Sequence, residues 1–457
     1  MRDRNCEFHF TPVGNLRSCE PAILGMAFLP IILVDGPLTA PSANSPVTNR
    51  EHHPGSPLLK NRGLLKLLAF RVQVVLAYQI IAVVVGWHIY ELTHNALSLG
   101  LIGLAEVIPY FSCALFAGYA VDHHSRRMFG VGAGFLTCMN ALLLLSTTLV
   151  SYHNPALLIY AAIASGGIAR AFISPTYNAL FALCLPREQY ARAAGMGSSV
   201  FQSALVAGPA IGGALVGWTS MTVAYLVAAL LAASAALTLL SLTLKQPPLA
   251  EPSPILASIR EGVRFVSGNR ILLGAQALDM FAVLFGGAVA MLPAFIHDIY
   301  HAGPEALGIL RAAPALGAIA IGIALSRHPM NRHAGRWLMA AVAGFGICII
   351  LFALTHSFWI AFLLLLASGL CDGVSVVMRA TIMQLSTPDA MRGRVSSISG
   401  IFIGSSNELG AFESGIAARL MGLVPSVIFG GTMALFVVAA TSYLVPPLRR
   451  LDMQKLR

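Results

Sequence analysis

The residues with most chemistry to offer are the charged ones set in apolar sequence. Glu106, Arg170, Asp279, Asp372, Arg379, Glu408 and Glu413 each interrupt a long stretch dominated by Leu, Ala, Val, Ile and Phe. A charge at membrane depth costs a few kcal/mol unless it faces a cavity or a partner, so such positions mark proton relays, substrate sites or structural pairs. A carboxyl in a low-dielectric cavity is neutral or charged depending on which side admits water, which makes Asp279 and Glu408 candidates for proton exchange. At 1.5 Å per residue, Asp279 lies about 12 Å into its stretch and Glu408 about 20 Å, both near mid-membrane. The same count puts Glu106 and Glu413 toward one face and Asp372, Arg170 and Arg379 toward the other. The competing explanation is ion pairing between helices, for instance Asp372 with Arg379 or Glu106 with Arg71.

Other chemistries find little support. There is no GxxxxGK[ST] phosphate loop, no GxSxG elbow and no HExxH spacing, so no catalytic set emerges and nucleotide drive is not indicated. The seven cysteines (Cys6, Cys19, Cys113, Cys138, Cys184, Cys348, Cys371) are scattered without a CxxC pair, and neither a metal nor a disulfide is expected. The net charge of +10 does not indicate nucleic acid, because the basic residues sit in short gaps between apolar stretches rather than on a polar face with aromatics. No cofactor is expected.

The elements that must position these charges follow from composition. Hydrophobic residues make up 57% of the chain and charged ones 11%, less than half the share of a soluble domain. Lipid must therefore replace water over most of the surface. A span needs about twenty apolar residues to cross about 30 Å of hydrocarbon. That window places spans near 67–90, 99–121, 128–150, 156–180, 194–217 and 221–244, then near 271–297, 305–326, 336–354, 357–379, 395–420 and 424–446. The expected fold is an all-α integral membrane protein of twelve transmembrane helices in two pseudo-symmetric six-helix bundles, 63–245 and 271–448.

Orientation follows from Lys and Arg. One set of gaps holds Lys60, Arg62 and Lys66; Arg126 and Arg127; Arg187 and Arg192; Lys245, Arg260, Arg264 and Arg270; Arg327, Arg332 and Arg336; Arg392 and Arg394; and Arg449, Arg450, Lys455 and Arg457. The alternate gaps hold none, which predicts both termini in the cytoplasm. Residues 246–270 read as a cytoplasmic linker, opening with Pro247, Pro248, Pro252 and Pro254 and continuing at 255–266 as a short amphipathic helix. The halves resemble degenerate repeats. Leu99-Gly100 leads to Gly118, and Leu307-Gly308 leads to Gly322, the glycines 18 and 14 residues apart. Residues 1–62 are expected to form a poorly ordered extension, since 22–34 is apolar but too short to span and is interrupted by Pro30. A signal peptide there would conflict with the orientation, and Met26 is an in-frame alternative start. Residues 449–457 read as a cytoplasmic tail.

Three motifs add a family likeness. Gly118-Tyr-Ala-Val-Asp122-His-His-Ser-Arg126-Arg127 resembles the G-x-L-A-D-R-x-G-R-R loop of the major facilitator superfamily, with His123 and Ser125 replacing Arg and Gly. A carboxylate at a helix end can face the positive amino end of a neighbouring helix and pair with nearby Arg, a latch that forms in one conformation and breaks in another. Gly195 with Gly208-Pro209-Ala-Ile-Gly212-Gly213 resembles the superfamily's span-5 antiporter motif, with Ala204 where the middle glycine belongs. Small residues four apart also serve plain helix packing. Arg392-Gly-Arg-Val-Ser-Ser, Ser406-Asn-Glu-Leu-Gly-Ala-Phe-Glu-Ser-Gly415, Glu91-Leu-Thr93, Gly100-Leu-Ile-Gly-Leu-Ala-Glu106 and Ala288-Val-Ala-Met-Leu-Pro293 are similar to the enterobactin-exporter-like branch of drug:proton antiporters.

The resemblance covers roughly 62–450. It implies proton-coupled export of a siderophore or another small amphipathic molecule from the inner membrane, by a monomer surrounded by lipid. The superfamily's R-x-x-Q-G motif of span 4 is only partly kept, since Ser174 follows Arg170 where its glycine would stand. On this view Asp279→Asn abolishes proton-driven efflux and leaves insertion intact. An uptake symporter, or a membrane assembly or sensor protein that kept the fold, are the alternatives. Gln73, Gln79, Gln202, Gln276 and Asn407 are candidate cavity liners or interhelical glue.

Overall fold

The computed structural model describes residues 58–185, 189–243, 255–328, 333–388 and 391–452. The expected N-terminal extension, apart from its last few residues, and the end of the basic tail lie outside them. All the described helices belong to one unit, Ser56–Arg457. The first half holds α1 (Arg62–Thr93), α2 (Ala96–His123), α3 (Arg126–Leu149), α4 (Pro155–Cys184), α5 (Tyr190–Trp218) and α6 (Met221–Leu240). A short α7 (Ile255–Gly268) leads to α8 (Arg270–Phe285), α9 (Leu292–Asp298), α10 (Pro304–Arg327), α11 (Ala334–Leu354), α12 (Phe358–Ser386), α13 (Arg392–Met421), α14 (Leu423–Leu444) and α15 (Pro446–Arg449).

Local chemistry starts these helices where the apolar stretches begin. Asn61, Asn95, Asn154, Ser220 and Asn269 each accept a hydrogen bond from a backbone N–H in the first turn of α1, α2, α4, α6 and α8. Pro155 and Pro304 stand in the first turns of α4 and α10, where the missing N–H has no helical partner to lose.

Among the described residues, eleven spans are long and apolar enough to cross a membrane by length and composition. The twelfth, α13, has 30 residues and is long enough, but Asn407, Glu408, Glu413 and several serines make it the most polar. The seventh span differs from the single helix expected near 271–297. It breaks at Gly286 and passes through a 3-10 turn, Gly287–Met291, before α9. At Gly287 a β-carbon would lie 2.5 Å from the Ser414 hydroxyl and 2.6 Å from the Gly410 carbonyl, so the chain passes α13 too closely for any side chain. Pro293 in the first turn of α9 restarts the helix.

The two halves pack by the same scheme. α2 packs on α4, α3 on α6 and α1 on α5 and α6; correspondingly α10 packs on α12, α11 on α14 and α8 on α13 and α14. The halves meet along α5 with α10 and α2 with α13. Lipid tails are as apolar as Leu, so these helices associate through close backbone approach rather than burial. A β-carbon on Gly213 would lie 2.7 Å from the Gly308 backbone, and one on Gly100 would lie 2.9 Å from the Gly415 α-carbon. All four glycines lie toward the end opposite the Arg126–Arg127 loop. Nearer that loop, which marks the basic end, Gly118, Gly195, Gly322 and Gly400 on the same four helices meet no described atom within 4 Å. Among the described residues the bundles are in close glycine contact at the far end and make no such contact at the basic end.

Candidate functional site

At the level where the bundles begin to part, three helices of the first bundle and two of the second converge. The Arg170 guanidinium on α4 pairs through one nitrogen with Glu106 on α2 at 2.7 Å and with Glu408 on α13 at 2.7 Å. The Tyr78 hydroxyl on α1 donates to Glu106 at 2.8 Å. Arg170 also lies over the rings of Tyr78 and Tyr110, at 5.1 and 5.2 Å from their centres. Arg311 on α10 donates to the Ala82 carbonyl on α1 at 3.1 Å, a second polar link between bundles. A cavity of about 30 Å³ inside the first bundle adjoins this network, lined by Tyr78, Glu106, Thr137, Asn140 and Arg170 among others.

The arrangement revises the depths counted along the chain. Glu106 and Arg170, counted toward opposite faces, meet each other and Glu408 at one level, because helices that tilt and start at different heights do not share a ruler. The pairings also differ from those considered. Arg379 on α12 pairs with Asp279 on α8, not with Asp372, and is held by the Ser375 hydroxyl at 3.2 Å. Glu106 pairs with Arg170, while Arg71 lies between the Tyr177 and Phe201 rings. Asp372 and Glu413 make no ion pair among the described residues, though Asp372 lies near enough to Arg379 and Asp279 to interact electrostatically with both.

Of the polar candidates, Gln73 accepts from Thr238 on α6 at 3.1 Å and so ties helices within one bundle. Asn407 donates to its own helix at Ile403. Gln79 fills the space left by Gly208.

The loop motif joins α2 to α3. Gly118 and Asp122 stand on the last turns of α2, Arg126 begins α3, and Arg127 donates to the Leu242 carbonyl beyond α6 at 3.0 Å. The Asp122 side chain lies outside what the structure describes. The α5 motif divides its work. Gly208 and Gly212 admit Gln79, Ile80 and Val83 of α1, while Pro209 and Gly213 pack on Gly308 of α10; Gly195 faces open space.

At the far end, the Tyr90 hydroxyl on α1 donates to Asp298 at 2.5 Å, and His297 bonds Asp298 at 2.7 Å, closing the bundles across their mouth. No group of three metal-ligating side chains converges among the described residues.

Tyr78, Tyr110 and Arg311 were not foreseen. Arg311 carries the signal that marked the other charges, an arginine inside an apolar stretch. The tyrosines carry none, since a tyrosine in a membrane helix is ordinary.

With two bundles, a cross-bundle ion pair and one open end in view, comparison with known proteins becomes decisive. A family model described as Major Facilitator Superfamily matches residues 68–411. The chain belongs to the major facilitator superfamily. Among its relatives, the multidrug efflux pump Tap of Mycolicibacterium fortuitum is 25% identical over 86% of this chain and 98% of that protein. Macrolide efflux protein A of Streptococcus pyogenes is 20% identical over 82% and 94%. The enterobactin exporter EntS of Citrobacter koseri is 24% identical over 80% and 90%.

The fold matches a bacterial homologue of the lysosomal transporter Spinster, solved inward-facing and unoccupied, with a TM-score of 0.64 at 16% identity over 88% of this chain and 99% of that one. It matches a D-xylose–proton symporter with a TM-score of 0.66 at 12% identity over 85% and 99%. This major facilitator protein is a multi-pass membrane transporter, not an enzyme.

Proposed function

We propose that the protein is a proton-coupled exporter of small amphipathic molecules, siderophores or drug-like compounds, that works by alternating access in the cytoplasmic membrane with its basic loops and both termini inside. The relatives named above, two efflux proteins and one enterobactin exporter, support the direction. The observation that carries the mechanism is Arg170 shared between a carboxylate of its own bundle and one of the other.

With the basic end open, Glu408 is charged and held. Separation of α2 from α13 at the far end pulls Glu408 from Arg170 and exposes it to water on the outside. An uncompensated carboxylate in a low-dielectric cleft takes a proton there. As the bundles close again, Arg170 reforms its pair and the proton leaves toward the cytoplasm. Glu106 keeps Arg170 partly neutralised throughout. The bound substrate supplies the interactions that offset breaking the bridge on the outward stroke. Asp279, within one bundle, is assigned to holding α8 against α12. The α2–α3 loop, with Asp122, Arg126 and Arg127, is assigned to holding the basic end shut in the opposite state.

The test is uptake into everted vesicles under an imposed pH gradient, across siderophores, dyes and antibiotics. Gradient-dependent accumulation is expected for wild type and absent for Glu408→Gln. The shared fold of the xylose–proton symporter makes uptake the other direction to check. If an uncoupler lowers whole-cell retention of the substrate, export is wrong.

A further inference from the structure

The first bundle holds a second arginine–tyrosine level that the ion-pair network does not use. Arg71 and Tyr78 are seven residues apart on α1, and Arg170 and Tyr177 seven apart on α4. Seven residues are two helical turns, about 10 Å along the axis and on one face. α1 and α4 run in opposite directions, so the two faces stack the residues in exchange. Nearer mid-depth, Arg170 of α4 lies over Tyr78 of α1. About 10 Å toward the basic end, Arg71 of α1 lies over Tyr177 of α4, 4.0 Å from the ring centre, with Phe201 of α5 on its other side at 4.7 Å.

The two levels differ in one respect. Arg170 has two carboxylates. Among the described residues Arg71 has none, and no hydrogen-bond acceptor takes its N–H groups. It stands about 6 Å into the span that begins near residue 67, on the basic side. The rings take no hydrogen bond from the guanidinium and leave its fork of N–H donors, which matches a carboxylate bidentately. Beside it, the Tyr177 hydroxyl is buried without a hydrogen-bond partner. Gly197 packs against that hydroxyl and leaves it room beside Arg71. A β-carbon there would lie 2.5 Å from the Tyr177 hydroxyl and 3.7 Å from an Arg71 nitrogen. The level lies on the side where the bundles part.

We propose that Arg71, between the Tyr177 and Phe201 rings and beside the free Tyr177 hydroxyl, binds the carboxylate of an amphipathic organic anion entering from the basic end. This rests on the transport reading and gives its substrate a class. The guanidinium edge and the phenol hold the carboxylate, and the ring edges wall its apolar part. Arg170, already neutralised, does not compete for it.

The test compares 2-naphthoate with its neutral isostere 2-naphthamide, titrated against the purified full chain in detergent. Wild type is expected to bind the acid at least ten-fold more tightly than the amide. Arg71→Gln removes that preference, Arg71→Lys keeps part of it, and Gly197→Ala weakens acid binding several-fold by displacing the Tyr177 hydroxyl. Should Arg71→Gln fail to fold, Arg71→Lys and Gly197→Ala decide alone. Equal binding of acid and amide by wild type overturns the inference, as does preference intact in Arg71→Gln. Vesicles from the same preparation separate the two readings. Proton-driven movement of the amide without acid preference removes only this inference, whereas no gradient-driven movement of either probe removes the transport reading.

Discussion

Arg170 and Arg379 are both arginines within apolar helices, and both pair with a carboxylate on another helix. Arg379 and Asp279 belong to helices of one bundle, with side chains only 6% and 4% exposed. Arg170 answers to two bundles, and its side chain is 27% exposed. A pair whose helices move as one body survives any rocking of the bundles, and its work is to hold them. A pair that crosses the contact between α2 and α13 cannot survive their separation, so its energy enters the conformational equilibrium. The same chemistry is a rivet in one place and a catch in the other, according to which helix carries the partner.

The contrast can be broken most directly at Glu408. Glu408→Gln is expected to lower gradient-driven flux in everted vesicles about 100-fold, a change of about 2.7 kcal/mol, at unchanged membrane abundance. Wild-type flux would mean the catch is idle.

Asp279→Asn addresses the rivet. It leaves Arg379 buried without its counter-charge, a loss of about 3–5 kcal/mol, read as lower folded yield and melting temperature. Asp279→Asn with Arg379→Gln is expected to recover most of both, and gradient-driven flux with them. If Asp279→Asn instead keeps its melting temperature and loses flux, as the chain alone suggested, Asp279 returns to the coupling set and the contrast fails.

A smaller effect is expected from Gly213→Leu, whose side chain would strike Gly308 at the far-end contact. Overpacking typically costs about 1–3 kcal/mol, which here disfavours only the state closed at the far end. A cysteine placed at Ala306, buried in the first turn of α10 at the far end, should react with an impermeant thiol reagent about ten-fold faster in that background than in a Gly213 control. An unchanged rate would mean that far-end closure does not depend on this approach.

Least of all, Tyr90→Phe removes one cross-bundle hydrogen bond to Asp298. About 1 kcal/mol predicts a shift of about five-fold in the same labelling assay.

Much of this was legible along the chain. Basic residues confined to alternate gaps and apolar stretches about twenty residues long point to the spans, and the α5 glycines lie where helices approach closely. The intramembrane charges were legible as a list, because the cost of a charge in lipid is paid residue by residue. Arg311 was overlooked on that same test. Tyr78 and Tyr110 had no signal, being side chains that lipid tolerates. The break at Gly286 lies two residues before the Ala288–Pro293 motif, but glycines and a proline in a span are compatible with a straight or kinked helix as well as a broken one.

Solvent class, helix number and the segregation of basic residues were settled by sequence, since each depends on local composition against a fixed hydrocarbon thickness. Partnership was decided only in three dimensions. Arg170 and Glu408 are 238 residues apart, and an ion pair depends on an interatomic distance set by the tilt and height of two helices in different bundles. No pattern along either helix encodes that distance. It follows from glycine contacts elsewhere that bring α2 to α13 and leave the opposite end apart.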